Sequence, residues 1–257
     1  MRYGWATSMD NYALLERCGY DYIELSGVQV SAMSREQLHQ ACSAIAAGGA
    51  KCRNINAYCG PDVAVAGPGF ELSHAQEYAK KLMERAQMLG ASMVGVGAPK
   101  SRILPEGYDR AVAWRQAIEF FQATAEIAQA HGIMVLVEPV CSLECNFMTH
   151  TQEGVQMVQQ VARDNVRMVY DIYHAYAEGE DTAPITQAGP YIRHVHICDK
   201  VGAQRHYLRE ENLDLYRTYL DAVKKTGYDE VVSIEAFVGD VSKEAKNSLS
   251  ILRAAAE

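Results

Sequence analysis

Eight times along its length this chain passes from a short, apolar, β-branched run to a longer stretch with helical periodicity. Such end-to-end alternation fits parallel strands joined by crossover helices far better than any all-α or all-β arrangement. The strand-like runs are residues 3–6, 22–25, 52–57, 93–96, 133–137, 166–170, 194–197 and 231–234. Helical patterns occupy 11–18, 34–47, 73–89, 109–130, 151–162, 182–188, 212–226 and 242–256. Eight such pairs in 257 residues predict a (β/α)₈ TIM barrel, a fold of typically ~250 residues. No linker, charge block or low-complexity tract interrupts them, so residues 1–257 read as a single α/β barrel domain.

Local punctuation supports the assignment. Ser34 with Gln37, and Ser73 with Gln76, have the spacing of capping boxes that satisfy free backbone donors at helix starts. Gly19, Gly48, Gly90, Gly132 and Gly227 follow helical runs, where a residue free to take positive φ ends a helix at little cost. The segment 182–188 is the weakest helix, crowded by Pro184, Gly189 and Pro190. Residues 58–72, rich in Gly, Pro and Ala, predict a loop over the barrel mouth in the position of a substrate lid.

Composition narrows the partners. No stretch approaches the ~18 uninterrupted apolar residues of a membrane span, so no membrane is expected. The first residues lack the apolar core of a secretory signal, which makes the cytoplasm the expected location. Lys and Arg number 24 against 32 Asp and Glu, a net charge of -8 that repels polyanions, so no nucleic acid is expected either. The seven cysteines are odd in number and include no Cys-x-x-Cys, which suits free thiols in a reducing compartment.

The candidate chemistry lies at the downstream ends of four runs, where Glu138, Asp171, His196 and Glu235 stand. Parallel strands closed into a barrel bring these ends to one mouth. Three carboxylates and an imidazole make a mostly oxygen shell for a divalent metal, suited first to Mn²⁺, with Mg²⁺ or Co²⁺ also accommodated. Two adjacent oxygens of a sugar could complete that shell, with Glu138 and Glu235 flanking the bound carbon as acid and base. One would remove a proton and the other return it, through an enediolate. His174, three residues after Asp171, and Glu144, six after Glu138, are candidate substrate contacts. Arg205 and His206 could lend positive charge to an enediolate or a phosphate.

Each residue also has an ordinary reading. A carboxylate after a strand is often a helix cap or a turn residue. His196 is harder to dismiss, since a polar group buried among Val and Ile without a partner costs roughly 2 kcal/mol or more. His194 shares its face and reads equally as a core histidine. Glu24 also ends a strand, but nothing in its own segment converges with it, so it is assigned a supporting role. Lys100 reads as solvated, and Gly95-Val-Gly97 lacks the third glycine of a phosphate cradle.

With these residues in hand, the chain resembles the sugar phosphate isomerase/epimerase superfamily of xylose isomerase-like barrels, and within it the ketose 3-epimerases of the tagatose and psicose type. The motifs concerned are Glu138 with Glu144, Asp171-x-x-His174, His194-x-His196 and Ser-Ile-Glu235. The resemblance implies Glu138, Asp171, His196 and Glu235 as metal ligands, Glu138 and Glu235 doubling as acid and base, and Glu144 and His174 on a small-molecule carbohydrate substrate. It also implies a homo-oligomer. In the ketose epimerases an arginine follows the metal histidine after a short gap; here position 202 is Gly and the nearest is Arg205. The superfamily further includes cyclic-polyol dehydratases, aldose–ketose isomerases and a DNA-repair endonuclease. The endonuclease needs additional histidines after earlier strands, and residues 56–59 and 98–100 supply none. The expectation is therefore a metal-dependent carbohydrate epimerase or isomerase. A dehydratase is the alternative within enzymes, and a non-catalytic sugar-binding barrel the rival from another class.

Overall fold

A computed structural model describes residues 1–257. Eight strands close into a barrel: β1 (Arg2–Ala6), β2 (Tyr22–Ser26), β3 (Lys51–Asn56), β4 (Met93–Val96), β5 (Met134–Val137), β6 (Val166–Asp171), β7 (Ile192–Ile197) and β10 (Val231–Ile234). Each pairs in parallel with its sequence neighbours in the ring, and β10 closes it between β7 and β1. The predicted (β/α)₈ barrel is what the chain forms. Two short strands, β8 (Asp199–Val201) and β9 (Gln204–His206), lie outside the ring as an antiparallel hairpin over the end of β7.

The crossover helices are α1 (Tyr12–Cys18), α2 (Gly27–Ala32), α3 (Arg35–Ala47), α4 (Leu72–Leu89), α5 (Arg110–Gln129), α6 (Thr151–Val161), α7 (Ile172–Ala177), α8 (Ile185–Ala188), α9 (Leu213–Lys225) and α10 (Val241–Ala256). The Ser34 capping box forms in full, with Gln37 N–H donating to Ser34 Oγ at 3.1 Å and Ser34 N–H to Gln37 Oε1 at 2.8 Å. The Ser73 box does not. Ala75 N–H already bonds the Glu71 carbonyl, so α4 begins at Leu72 and Ser73 sits inside its first turn. Gly19 and Gly90 end their helices at positive φ as expected. Gly48 ends α3 in extended backbone, and its missing Cβ instead leaves room for the Tyr12 hydroxyl. The segment 182–188 shortens to the single turn of α8, while α2, α7 and the hairpin are too short for periodicity to announce.

Within the ring the strands stack two layers. Tyr22, Met93, Leu136, Val169 and Val231 form an apolar plug towards the upstream ends, each such side chain worth roughly 1.5–3 kcal/mol of burial. Gly4 makes this possible, because a Cβ there would overlap the Tyr22 ring. Tyr22 in turn bonds Ser233 Oγ at 2.8 Å. Above the plug the interior turns polar, with Glu24, Asn54, His194 and His196 all buried. The loop 58–72 is tied down rather than free: Tyr58, Val63 and Val65 are buried, and Val65 N–H bonds the Ser101 carbonyl at 2.8 Å. No helix is long and apolar enough to cross a membrane.

Candidate functional site

The register of the barrel lifts four donor groups to one point. Glu138 directly follows β5, its carbonyl accepting a hydrogen bond from Arg102 Nη2 at 2.8 Å. Asp171 ends β6 and caps α7, with Oδ1 accepting from the Tyr173 and His174 N–H groups at 2.7 and 3.4 Å. The cap reading and the site reading thus hold together, one for each oxygen, since Oδ2 faces the centre. His196 points inward from β7, opposite Asp171 in the strand register. Glu235 follows β10. One ligand atom from each of the four lies within 4.8 Å of the others, and all four residues are buried. His196 Nδ1 stands 3.0 Å from Glu138 Oε1 and 3.6 Å from Glu235 Oε2.

Around them the other expected residues divide. The β8–β9 hairpin turns Arg205 inward, where Nη1 donates to Asp171 Oδ2 at 2.9 Å and to Glu235 Oε2 at 2.6 Å. Its Nη2 reaches His174 Nε2 at 2.5 Å, and the guanidinium lies 4.3 Å from the Tyr173 ring centre. His174 is buried, and its Nδ1 lies 3.2 Å from Cys141 Sγ. Glu144 sits at the edge, half-exposed and 3.6 Å from Arg205 Nε. His206 is not part of the cluster. Strand alternation points it away from Arg205's side, and its ring bonds Gln204 Oε1 at 3.2 Å. Lys100 is exposed, as a solvated side chain should be.

Glu24 does more than its own segment suggested. Its carboxylate accepts from His196 Nε2 at 2.9 Å, His194 Nε2 at 3.0 Å and Asn54 Nδ2 at 2.6 Å. Committing the His196 Nε2 proton to Glu24 leaves Nδ1 to face the three carboxylates, the arrangement that fixes tautomer and ring orientation in a ligating histidine. His194 has one partner only, because its Nδ1 is buried without a hydrogen bond. Two further residues escaped sequence reasoning. Asn56 Nδ2 donates to Glu235 Oε1 at 2.6 Å. Gly97 leaves room for Glu138, since a Cβ there would come within 2.5 Å of Glu138 Oε2.

Electrostatics follow from burial and pairing. Burial pushes the Glu235 carboxyl up to about 7, against the pull of Arg205 and His196. Burial acts on Asp171 in the same sense, but Arg205 and then His174 hold it below the usual carboxylate range. Burial lowers His174 to about 4, so its ring is neutral near pH 7. Burial also opposes a charge on His196, yet Glu24, Glu235 and Glu138 hold it well above the ordinary imidazole range. Three inward carboxylates around one imidazole and one guanidinium offer hard oxygen donors and an excess of negative charge. That donor set fits a divalent cation such as Mn²⁺ or Mg²⁺.

A cavity of about 380 Å³ opens beside the cluster, reaching it through Asn56.

Comparison with known proteins agrees with this fold. A family model described as xylose isomerase-like TIM barrel matches residues 12–255. The inosose isomerase of Bacillus licheniformis is 31% identical over 170 residues, covering 62% of this chain and 58% of that protein. The match thus spans less than two thirds of that relative's length. An L-ribulose 3-epimerase of Methylomonas sp. (strain DH-1) is 25% identical over 242 residues, 92% of this chain and 81% of the relative. The crystal structure of the D-psicose 3-epimerase of Clostridium cellulolyticum H10 with D-tagatose shares the fold over the whole of both chains, with a TM-score of 0.86 at 19% identity. A barrel of this topology, matched to the family model over nearly its full length, belongs to the xylose isomerase-like TIM barrel family.

Proposed function

We propose that this chain is a divalent-metal-dependent carbohydrate epimerase or isomerase that moves a proton on the carbon beside a carbonyl. The observation that carries the reading is the meeting of Glu138, Asp171, His196 and Glu235, from four separate strand ends, within 4.8 Å. The names of the relatives, an inosose isomerase and an L-ribulose 3-epimerase, point to enolisable sugars or cyclic polyol ketones.

The four residues would hold the cation, Mn²⁺ first, with Mg²⁺ or Co²⁺ compatible with the same donors. Such a cation, when bound, polarises a carbonyl and acidifies the adjacent C–H. The chain's own groups do the rest. Glu138 and Glu235, entering from β5 and β10, flank the reacting carbon; one takes the proton and the other returns it on the opposite face. Asn56 holds one Glu235 oxygen and Arg205 the other, which aims the carboxylate. Arg205 also places fixed positive charge where negative charge develops on the substrate oxygens. His174 and Glu144 stand where sugar hydroxyls would reach them.

Exchange of a substrate C–H for solvent deuterium tests this directly. Purified protein, stripped with a chelator and reloaded with Mn²⁺, is offered a panel of ketoses and inososes. Exchange that disappears on stripping and returns with Mn²⁺ supports the reading. Exchange undiminished in the stripped protein refutes the metal requirement, and sugar binding with no exchange from any member leaves a binding barrel.

A further inference from the structure

The upstream end of the barrel, opposite the four-residue cluster, holds a cavity of its own. Its volume is about 420 Å³, inside the ~300–1,000 Å³ typical of small-molecule sites. Met93 and Met134, at the upstream ends of β4 and β5, form its floor against the apolar plug. Arg53 of β3 and Arg193 of β7 both line it, although those strands stand on opposite sides of the ring.

Two irregularities in the strand pairing bring them there. Along β2 and β3, Ile23 pairs with Cys52 and then Glu24 with Asn54, so Arg53 is an extra residue on β3. Along β6 and β7, Met168 pairs with Ile192 and then Val169 with His194, so Arg193 is an extra residue on β7. The neighbours keep their layers. Cys52 and Ile55, like Ile192 and Val195, pack into the large apolar core, while Asn54 and His194 belong to the buried polar interior. A bulge forfeits ladder pairing and re-aims one side chain, and both bulges of this ring re-aim an arginine.

Neither guanidinium is fully employed. Arg53 Nε is buried without a hydrogen-bond partner. Arg193 Nη1 donates to the carbonyls of Ile192 at 2.6 Å and Pro190 at 3.3 Å, and its Nε stands 3.6 Å from Glu230 Oε1. Glu230 is the one acidic residue on the wall, so the cavity keeps a surplus of positive charge in a protein of net charge -8. Both arginines act on a common neighbour: burial raises the Tyr228 phenol, and Arg53 and Arg193 each pull against that rise. A buried donor without an acceptor is costly. An oxyanion supplies acceptors in the fork geometry that a guanidinium matches.

We infer that the upstream mouth of the barrel binds a small oxyanion, a phosphate or carboxylate group held between Arg53 and Arg193. The cavity has room for the molecule that carries the group, with the exposed Gln129 amide at its rim. The site is independent of the reaction proposed above.

Calorimetric titration of the chelator-stripped protein with inorganic phosphate, sn-glycerol 3-phosphate and citrate tests this with no metal present to capture the anion. The expected result is a Kd below about 1 mM for at least one of the three. The methyl resonances of ¹³C-labelled Met93 and Met134 should shift along the same titration. Tightest binding of phosphate, of the ester or of citrate identifies free phosphate, a phosphate ester or a polycarboxylate as the source of the group. Arg53→Gln and Arg193→Gln should each weaken binding at least about tenfold. Glu230→Gln removes the competing carboxylate and should tighten binding roughly threefold, a gain that a damaged fold cannot produce. The inference is overturned if no probe binds below about 1 mM, if Met93 and Met134 stay unmoved, if either arginine variant binds as the parent does, or if Glu230→Gln fails to tighten binding.

Discussion

The two halves of the barrel mouth are built on the same strands and lined by different chemistry. The ends of β5, β6, β7 and β10 present Glu138, Asp171, His196 and Glu235, all buried. The ends of β1 to β4 present Thr7, Ser26, Asn56 and Gly97, which carry no charge at all. Burial of ionised groups is costly unless each is paired, and the charged half meets that condition: Glu24 behind His196, Arg205 between Asp171 and Glu235. The neutral half needs no such framework, and the open volume lies there. On the proposed function, one side of the ring would supply reactive groups and the other room. At the rim the halves meet where Asn56 bonds Glu235 and where Gly97 leaves room for Glu138, and one layer deeper where Glu24 of β2 bonds His196 of β7.

The largest expected effect comes from the charged half. Glu235→Gln keeps the shape of the side chain and removes its ability to carry a proton, so exchange should fall by on the order of 10³-fold while circular dichroism stays that of the parent. Near-normal turnover would remove Glu235 from the acid/base pair and blur the division between halves. Next is a change on the neutral side that acts across the seam. Gly97→Ala sets a methyl group within 2.5 Å of Glu138 Oε2, which must move. If Glu138 acts in proton transfer as proposed, its displacement should cost about 10²-fold in kcat. Parent-like kcat in this variant would mean that Glu138 has no exacting position to lose.

The halves also differ in how openly the sequence declares them. Glu138, Asp171, His196 and Glu235 are visible because ionisable groups at the ends of Val- and Ile-rich runs are conspicuous, and barrel closure does the rest. Gly97 and Asn56 are silent residue types whose meaning comes only from a neighbour on another strand. Glu24 lies between these cases. A carboxylate inside the run Tyr22-Ile-Glu-Leu must find a partner if buried, and so must the paired His194 and His196 on β7. Matching those two needs across the ring would have located the contact, but 172 residues separate Glu24 from His196 and no local pattern joins them. Arg205 and His206 were inseparable for another reason. In a strand of three residues one step of alternation decides which side chain enters the site, and so short a strand has no period to read. The Ser34 and Ser73 motifs are equally good capping boxes by spacing, and only the earlier start of α4, capped at Glu71, distinguishes them.

Behind the charged half, Glu24→Gln weakens the grip on His196 Nε2 without adding bulk. Outer partners of ligating histidines typically contribute 10–100-fold to metal affinity, so Mn²⁺ binding measured by calorimetry should weaken by roughly tenfold or more. ¹⁵N NMR of the metal-free protein should show the His196 imidazolium giving up its second proton at lower pH than in the parent, since Glu24 is the largest influence holding that proton. Unaltered affinity together with an unaltered titration would show that barrel packing alone orients the ring.

Asn56→Ala probes the seam most gently. It deletes the 2.6 Å bond to Glu235 Oε1 but leaves Arg205 on the other oxygen, so the carboxylate keeps one of its two anchors. A hydrogen bond to a charged group contributes about 1.5 kcal/mol at the lower end, or roughly tenfold in kcat/KM if that energy is spent on aiming Glu235. The same deletion could instead register only as lost stability. Measuring both separates them: a lowered kcat with a nearly constant Tm makes Asn56 a positioning residue for the charged half, whereas a lowered Tm with parent kcat returns it to the wall of the cavity. In the first case the neutral half of the mouth does more than make space, since it sets the direction in which Glu235 points.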